Sequence, residues 1–476
     1  MTPPMAPNDP ERISTGNAQA DEILAGGFVA NSINIIMGQP GTGKTAFAES
    51  MVFHNADGGR PILYLTTLSE PMTKVLAYLQ GFSFCDPDKI GTQVLYEDIG
   101  AQLAKDGIGA LVPIIKQAVR TITPKIIVID SFKALHDLAP SVLDMRKMLY
   151  ELTGELTAYA TTVFLVGEYS DEDARTHPEF AIADGIIQFL RSPLSTRDER
   201  FMRVLKLRGS RYLEGLHGFK IKSSGLEIYP RLVTPEIPEA YEIKEERLHW
   251  GVAGMDKLFN GGLWRGSTTL LAGATGSGKT TIALQFAIEG ITQSEPSLYV
   301  NFQENPTQLA RAIRSLGANL KDLQARGFHL MYISPVEMQI DSVIVTLFRH
   351  AREHNIRRIV IDAVGDLLAA ASDRQRLHDY LYAMVQHFNV NGISSLLLLE
   401  TPGELSSGSR LGDHEAKFSY MSDNIVFLSI DVNDKVKRRL SVLKARGTAQ
   451  DLDVHEFEIT TKGAAVLGSV KKDAGK

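Results

Sequence analysis

Two stretches of this chain have the residue order needed to grip a polyphosphate. Gly38-Gln39-Pro40-Gly41-Thr42-Gly43-Lys44-Thr45 and Gly273-Ala274-Thr275-Gly276-Ser277-Gly278-Lys279-Thr280 both fit G-x-x-x-x-G-K-[ST]. Glycines in such a loop let backbone N–H groups turn inward around phosphate oxygens, and the helix that follows aims its positive end at the same anion. Lys44 and Lys279 are placed to reach the outer phosphates and neutralise charge during catalysis, while Thr45 and Thr280 offer a hydroxyl to Mg2+. Nucleotide contacts are expected from Gly38, Gly41, Thr42, Gly43, Lys44 and Thr45, and again from Gly273, Gly276, Ser277, Gly278, Lys279 and Thr280.

Carboxylates complete the chemistry. Asp130 and Asp362 each end an apolar run downstream of a loop, where an acid can help hold Mg2+; the same position also suits a cap on the next helix. A second acid is needed to take a proton from water or a hydroxyl. Glu304, in Tyr299-Val300-Asn301-Phe302-Gln303-Glu304, fits that role. The matching stretch Tyr64-Leu65-Thr66-Thr67-Leu68-Ser69-Glu70 places Ser69 opposite Glu304 and Glu70 one position later. Glu70 is therefore a displaced candidate base, or a first-turn acid of the next helix with Ser69 as its cap. Late in each half a basic pair recurs, Lys206-Leu207-Arg208 and Lys444-Ala445-Arg446. Residues two apart on a strand share a face, so each pair can meet phosphate charge, or simply line a solvated edge strand.

The loop lysines are 235 residues apart (279 − 44), and Gly26-Gly27 and Gly261-Gly262 precede the loops at matched distance. A repeat of that length is a duplicated domain. In the first copy Ile33 to Met37, Ile62 to Leu65, Ile126 to Asp130 and Val163 to Val166 read as buried strands, with a helix from Thr45 to His54. The second copy restates them at Thr268 to Ala272, Leu298 to Phe302, Arg358 to Asp362 and Ser395 to Leu399. Apolar strands alternating with helices indicate an α/β fold: two tandem domains, each a mostly parallel sheet covered by helices on both faces. Ile186 to Leu190, Met202 to Leu207 and Phe219 to Ile221 read as antiparallel strands added at the edge. The expected boundaries are a tail over 1–12, a first domain over 13–233, a linker over 234–247, a second domain over 248–460 and a short tail over 461–476.

The 476 residues are 44% hydrophobic and 22% charged, with net charge −6. That balance offers no overall attraction to nucleic acid or an anionic membrane. The single cysteine, Cys85, excludes an internal disulfide and suits a reducing compartment. With no apolar leader and no run long enough to span a bilayer, a cytoplasmic location is expected.

With these residues assembled, the chain resembles the KaiC family of tandem RecA-like ATPases over nearly its whole length. The resemblance rests on the paired loops, the Gly-Gly lead-ins, the strand-end aspartates, and the tails Lys206-Leu207-Arg208-Gly209-Ser210…His217-Gly218-Phe219 and Lys444-Ala445-Arg446-Gly447-Thr448…His455-Glu456-Phe457. It implies a double-ring homo-hexamer with ATP and Mg2+ between subunits. Lys206, Arg208, Lys444 and Arg446 would then reach in from the neighbour. It further implies an ATPase first ring and a second ring that phosphorylates and dephosphorylates itself, as a circadian-type timer or signalling switch.

The family's Ser-Thr acceptor pair falls on Ser419 and Tyr420, so the serine is kept and the threonine is replaced. Gln303-Glu304 stands where the family tends to carry two glutamates. The short stretch after Ile459 argues against KaiA-type regulation and leaves a KaiB-like or two-component signalling partner open. Two other readings keep the fold: an ATP-gated scaffold that does not phosphorylate itself, and a RecA- or DnaB-like DNA motor. No basic, aromatic-interleaved loop supports the motor.

Overall fold

The structure, a computed structural model, describes residues 10–68, 71–194, 197–237, 245–371, 373–401, 418–432 and 436–470. Glu70, with Ser69, lies outside the described residues. The chain divides into two compact units, one up to Arg231 and one from Leu232.

In the first unit nine strands form one sheet, in the order Val94–Asp98, Ile62–Thr66, Ile126–Asp130, Thr162–Gly167, Ile33–Gly38, Gly185–Leu194, Arg197–Leu207, His217–Lys222, Gly225–Tyr229. The first six run parallel and the last three form an antiparallel meander. The second unit repeats this order with Phe328–Tyr332, Ser297–Asn301, Arg358–Asp362, Ser394–Glu400, Thr268–Gly273, Asn424–Val432, Val436–Ala445, His455–Thr460 and Gly463–Ser469.

The central strands are mostly apolar because both faces are covered. Alternate residues serve opposite cores: Ile36, Phe164 and Val166 pack on one face of the first sheet, Ile35, Leu165 and Met37 on the other. Each phosphate-loop strand therefore ends at the carboxyl edge of a rigid, two-sided scaffold, where open α/β sheets bind ligands.

Three details differ from the sequence reading. Gly185–Leu194 runs parallel to Ile33–Gly38, so only the last three strands are antiparallel. Arg12 and Arg247 are strand residues in two short ribbons, Arg12–Ile13 with Phe28–Val29 and Arg247–Leu248 with Leu263–Trp264. Gly463–Ser469, read as tail, is the last strand of the second sheet and pairs with His455–Thr460.

The ribbons explain the Gly-Gly lead-ins. Gly27 and Gly262 both have φ +109, and a Cβ there would sit 2.4 Å from the Ile13 carbonyl oxygen or 2.3 Å from that of Leu248. Only glycine accepts that approach.

The helix after the first loop, Lys44–Asn55, carries a carboxyl into the core. Glu49 is fully buried; Tyr96 Oη donates to its Oε2 at 2.6 Å, and Oε1 has no partner. The second unit has Leu284 at the matching position. Burial raises the Glu49 pKa to about 8, the Asp130 charge adds to the rise, and the Tyr96 hydrogen bond opposes it. The folded state thus holds a proton that the unfolded chain releases near pH ~4.3. Unfolding stability should fall, by up to a few kcal/mol, as pH rises from there to about 8, and level off above. Glu49→Gln should flatten that slope in denaturant titrations run across the window; parallel profiles for both proteins would refute the assignment.

Candidate functional site

Each loop closes its own carbonyls on the ammonium of its lysine, which is buried in the first unit and half-buried in the second. Lys44 Nζ donates to the Gln39 carbonyl at 2.9 Å; Lys279 Nζ donates to those of Gly273 at 2.8 Å and Ala274 at 2.9 Å. Burial pushes both lysines below their usual range, opposed by Glu168 and Asp130 in the first unit and by Glu400 and Asp362 in the second. A cation held largely by backbone dipoles in a desolvated loop is a receptor for an anion. Gly43 and Gly278 begin the helices with φ +96 and +104, in the left-handed region. A Cβ on them would meet Ile221 Cδ1 at 3.1 Å or Ile459 Cδ1 at 2.7 Å, so the last glycine of each loop lets an isoleucine from the meander close down.

The metal-binding expectation corresponds to a repeated contact. Thr45 Oγ1 donates to Asp130 Oδ2 at 2.9 Å, and Thr280 Oγ1 to Asp362 Oδ2 at 3.0 Å. Both aspartates also accept from a buried tyrosine that the sequence reading passed over as strand: Tyr64 at 2.9 Å and Tyr299 at 2.6 Å. The matched positions of these tyrosines in the repeat were the available signal. Burial raises the Asp362 pKa, with the hydrogen bonds from Tyr299 and Thr280 opposing. Hydroxyl and carboxylate oxygens converging at a loop lysine are the hard donors Mg2+ takes beside phosphates. With the converging loop amides, the residues fit a magnesium–nucleotide pair. Over the first loop opens a cavity of ≈ 720 Å³, lined by Lys44, Thr45, Tyr64, Asp130, Lys133 and His136 among others. In the second unit a cavity of ≈ 460 Å³ runs from Thr280 past Ser315 and Leu316 to Ile459.

Glu304 sits where the second strand of its unit turns into a helix. Asn301, buried at the strand end, accepts from the backbone N–H of Gln303 at 2.9 Å and of Glu304 at 2.8 Å. Asn305 and Gln308 then form a capping box with Pro306 in the first turn. Glu304 Oε2 is buried and meets no partner among the described residues. Burial raises its pKa and the Asp362 charge adds to the rise. Gln303 is turned aside, donating to the Asp366 carboxylate at 2.9 and 3.1 Å. In the first unit the strand ends at Thr66, whose Oγ1 is buried and meets no partner among the described residues, and the expected base Glu70 lies outside them.

The basic pairs lie at the other end of the sheet. Lys206 pairs in register with Ile186, whereas Gly38 pairs with Phe189; Lys444 pairs with Ile425, whereas Gly273 pairs with Leu428. Asp184 and Asp423 lie beside Ile33 and Thr268, five residues and ~16 Å of strand from the loop. Arg208 pairs with Asp184 at 3.4 Å and Arg446 with Asp423 at 3.8 Å. Lys206 Nζ donates to the Phe180 carbonyl at 3.4 Å, and Lys444 Nζ to those of Ser419 at 2.6 Å and Ser422 at 2.7 Å. A bulge at Ile186/Ile187 and at Ile425/Val426 turns Leu205 and Leu443 outward, 37% and 43% exposed.

Each basic pair thus stands apart from the phosphate loop of its own unit. Ser419 and Tyr420 stand on the segment Lys444 holds; Tyr420 is exposed, its Oη 3.1 Å from the His378 ring nitrogens, and Ser422 is buried.

Lys279→Ala should weaken magnesium–nucleotide binding to the second unit ~10- to 100-fold, the worth of a charged hydrogen bond. Titration of the full chain with a fluorescent nucleotide should then show one tight site where the parent shows two. Unchanged stoichiometry and affinity would contradict the assignment.

Comparison with known proteins agrees with this geometry. The family model described as "ATPase: KaiC" matches residues 13–233 and 248–471. The chain is similar to the circadian clock oscillator protein KaiC of Picosynechococcus sp., at 26% identity over 97% of this chain and 90% of that protein. Similarity to the circadian clock oscillator protein KaiC 1 of Synechocystis sp. is 24% over 97% of this chain and 90% of the relative. The circadian clock protein KaiC3 of the same organism is 24% identical over 95% and 91%. With two matched sheets, two phosphate loops and a family model spanning both halves, the chain belongs to the KaiC ATPase family.

Proposed function

We propose that this protein is a homo-hexameric, double-ring ATPase whose second ring phosphorylates and dephosphorylates itself on Ser419. The observation carrying this reading is the separation, in both units, of a basic pair from its own loop by the length of a strand. A second copy brings them together when its sheet end abuts the loop of the first, and such head-to-tail contacts close into a ring. Ser419 lies at the same far end as Lys444 and Arg446, so a neighbour's loop is the one it can face.

Bound Mg2+ and ATP supply the transferable phosphoryl group and a positive charge beside it. Thr280 and Asp362 would hold the metal, and Thr45 and Asp130 would do so in the first unit. Lys279 neutralises charge on the outer phosphates, and the neighbour's Arg446 and Lys444 do so from the opposite side. Glu304 Oε2 accepts the proton of an attacking water or of the Ser419 hydroxyl. Its raised pKa makes it a stronger base than an exposed carboxylate. The oxygen of that water or Ser419 Oγ bonds to the outer phosphorus as the bond from that phosphorus to the departing nucleoside diphosphate breaks. In the first unit Leu68 and Ser69 occupy the Gln303 and Glu304 positions, which makes hydrolysis there slower. A timing or signalling role follows from a slow cycle that marks its own subunits.

A second reading keeps the rings as an ATP-gated scaffold without covalent phosphate. It is favoured by Tyr420, which replaces a hydroxyl acceptor and is engaged with His378.

Three experiments test the proposal. After incubation with magnesium–ATP, phosphopeptide mass spectrometry should find one phosphoryl group on the peptide holding Ser419, lost in Ser419→Ala and in Glu304→Gln. Unmodified protein that still turns over ATP would select the scaffold. Separately, Lys279→Ala and Arg446→Ala copies, each deficient alone, should regain second-ring turnover when mixed. No recovery in mixed oligomers would exclude a shared site. Second-ring turnover should also rise with pH through the Glu304 pKa, above the ordinary carboxylate range, and Glu304→Gln should lose that limb along with ~10²- to 10⁴-fold in rate.

A further inference from the structure

Away from the nucleotide site, the second unit brings three histidines together. His329 is the second residue of the edge strand Phe328–Tyr332, and His350 and His354 lie one helical turn apart at the end of the helix Ile340–Glu353. Their ring centroids are 4.1 Å (His329–His354), 4.3 Å (His350–His354) and 4.9 Å (His329–His350) apart. One nitrogen from each ring lies within 4.8 Å of the others, with no carboxylate in the set. His350 Nε2 is buried with no hydrogen-bond partner among the described residues. Burial and the neighbouring imidazoles drive the His329 pKa down to about 4 and lower that of His350. A buried ring nitrogen left without a partner beside two more imidazoles is costly for a fold unless something pairs with it.

We propose that His329, His350 and His354 form a site for one divalent transition-metal ion of the zinc class, three imidazoles with a fourth position open to water. Spacing of i and i+4 puts two ligands on one helix face, and the strand supplies the third, so the ion would pin the sheet's edge strand to its covering helix. All-nitrogen donors select zinc, nickel or copper over magnesium and calcium. At zinc–nitrogen distances of ~2.1 Å the nitrogens of a tetrahedral site lie ~3.4 Å apart, so the rings must draw together by about an ångström, which half-buried side chains at a helix end permit. The exposed His354 leaves the open position facing solvent. The first unit builds the same place without imidazole: Leu95 sits on its edge strand, and the helix Leu111–Ile122 carries no histidine. The cluster therefore belongs to one repeat and not to the shared scaffold. Its position near the amino ends of the parallel strands puts it at the opposite edge from the phosphate loop.

A second group, His136, His177 and Glu179, could compete for added metal, and the experiment separates the two. Full-length protein without a polyhistidine tag, stripped with chelator, is titrated with Zn2+ by calorimetry and with Co2+ by visible absorption. One ion per chain should give the intense Co2+ bands of a four-coordinate site. His350→Gln and His354→Gln should each weaken binding more than ~100-fold, beyond the ~10- to 100-fold loss produced by removing an outer-sphere partner. His136→Gln should leave that tight site intact. Circular dichroism of every variant, and ATP turnover of the His350 and His354 variants, verify folding independently of the added metal. Binding that survives His350→Gln, or that disappears only with His136→Gln, would overturn the proposal, as would metal-free behaviour of the parent protein at millimolar Zn2+.

Discussion

The hydrogen bond from a loop threonine to a strand-end aspartate, Thr45 to Asp130 and Thr280 to Asp362, is the contact on which the rest of each unit depends. It crosses from the first residues of a helix to the carboxyl end of a strand two places away in the sheet. That crossing fixes the phosphate loop against the scaffold before any ligand arrives. A buried tyrosine under each aspartate satisfies the same oxygen from below, so the carboxylate is held without being neutralised by an ion pair. The arrangement stores electrostatic tension in a dry place: ammonium, carboxylate and inward amides wait for a ligand that carries both signs of charge. A magnesium–polyphosphate does so.

A second repeated contact links parts far apart in sequence. Arg12 donates to the Gly27 carbonyl at 3.0 Å and to Ser210 Oγ at 2.9 Å; Arg247 donates to the Gly262 carbonyl at 2.7 Å and to Thr448 Oγ1 at 3.0 Å. The arginine at the start of each unit thereby joins its Gly-Gly ribbon to the turn directly after the basic pair. The serine or threonine ending each of those motifs is a structural anchor, while the pair itself is engaged by Asp184 or Asp423 and by backbone carbonyls.

Much of this was legible in the sequence, for reasons that can be located. The loops, the apolar strands and the terminal aspartates are local patterns, and the 235-residue repeat checked each against a second copy. The parallel direction of Gly185–Leu194 was not legible, because a strand's partner is chosen by the sheet and not by its own residues. Gly463–Ser469 was read as tail because its small residues cover only a narrow strip of core. Glu49 hid inside an amphipathic helix pattern in which a single acid looks like a solvent-facing residue. The three histidines are scattered over 329–354 in no ligand spacing except the final pair, and only the strand-to-helix return brings the first of them close. At Glu304 the adjacent asparagines, Asn301 and Asn305, told in retrospect of a tightly made turn.

The separation of each basic pair from its own loop has a genetic consequence. If the proposed ring forms, a subunit with a damaged Lys279 spoils the site it owns, and one with a damaged Arg446 spoils the site next door. A copy bearing both lesions would silence two sites while occupying one place in the ring. Small amounts of such a protein should then poison a wild-type population well beyond their share. The same division of labour means that an isolated copy carries both halves of the chemistry and can perform neither.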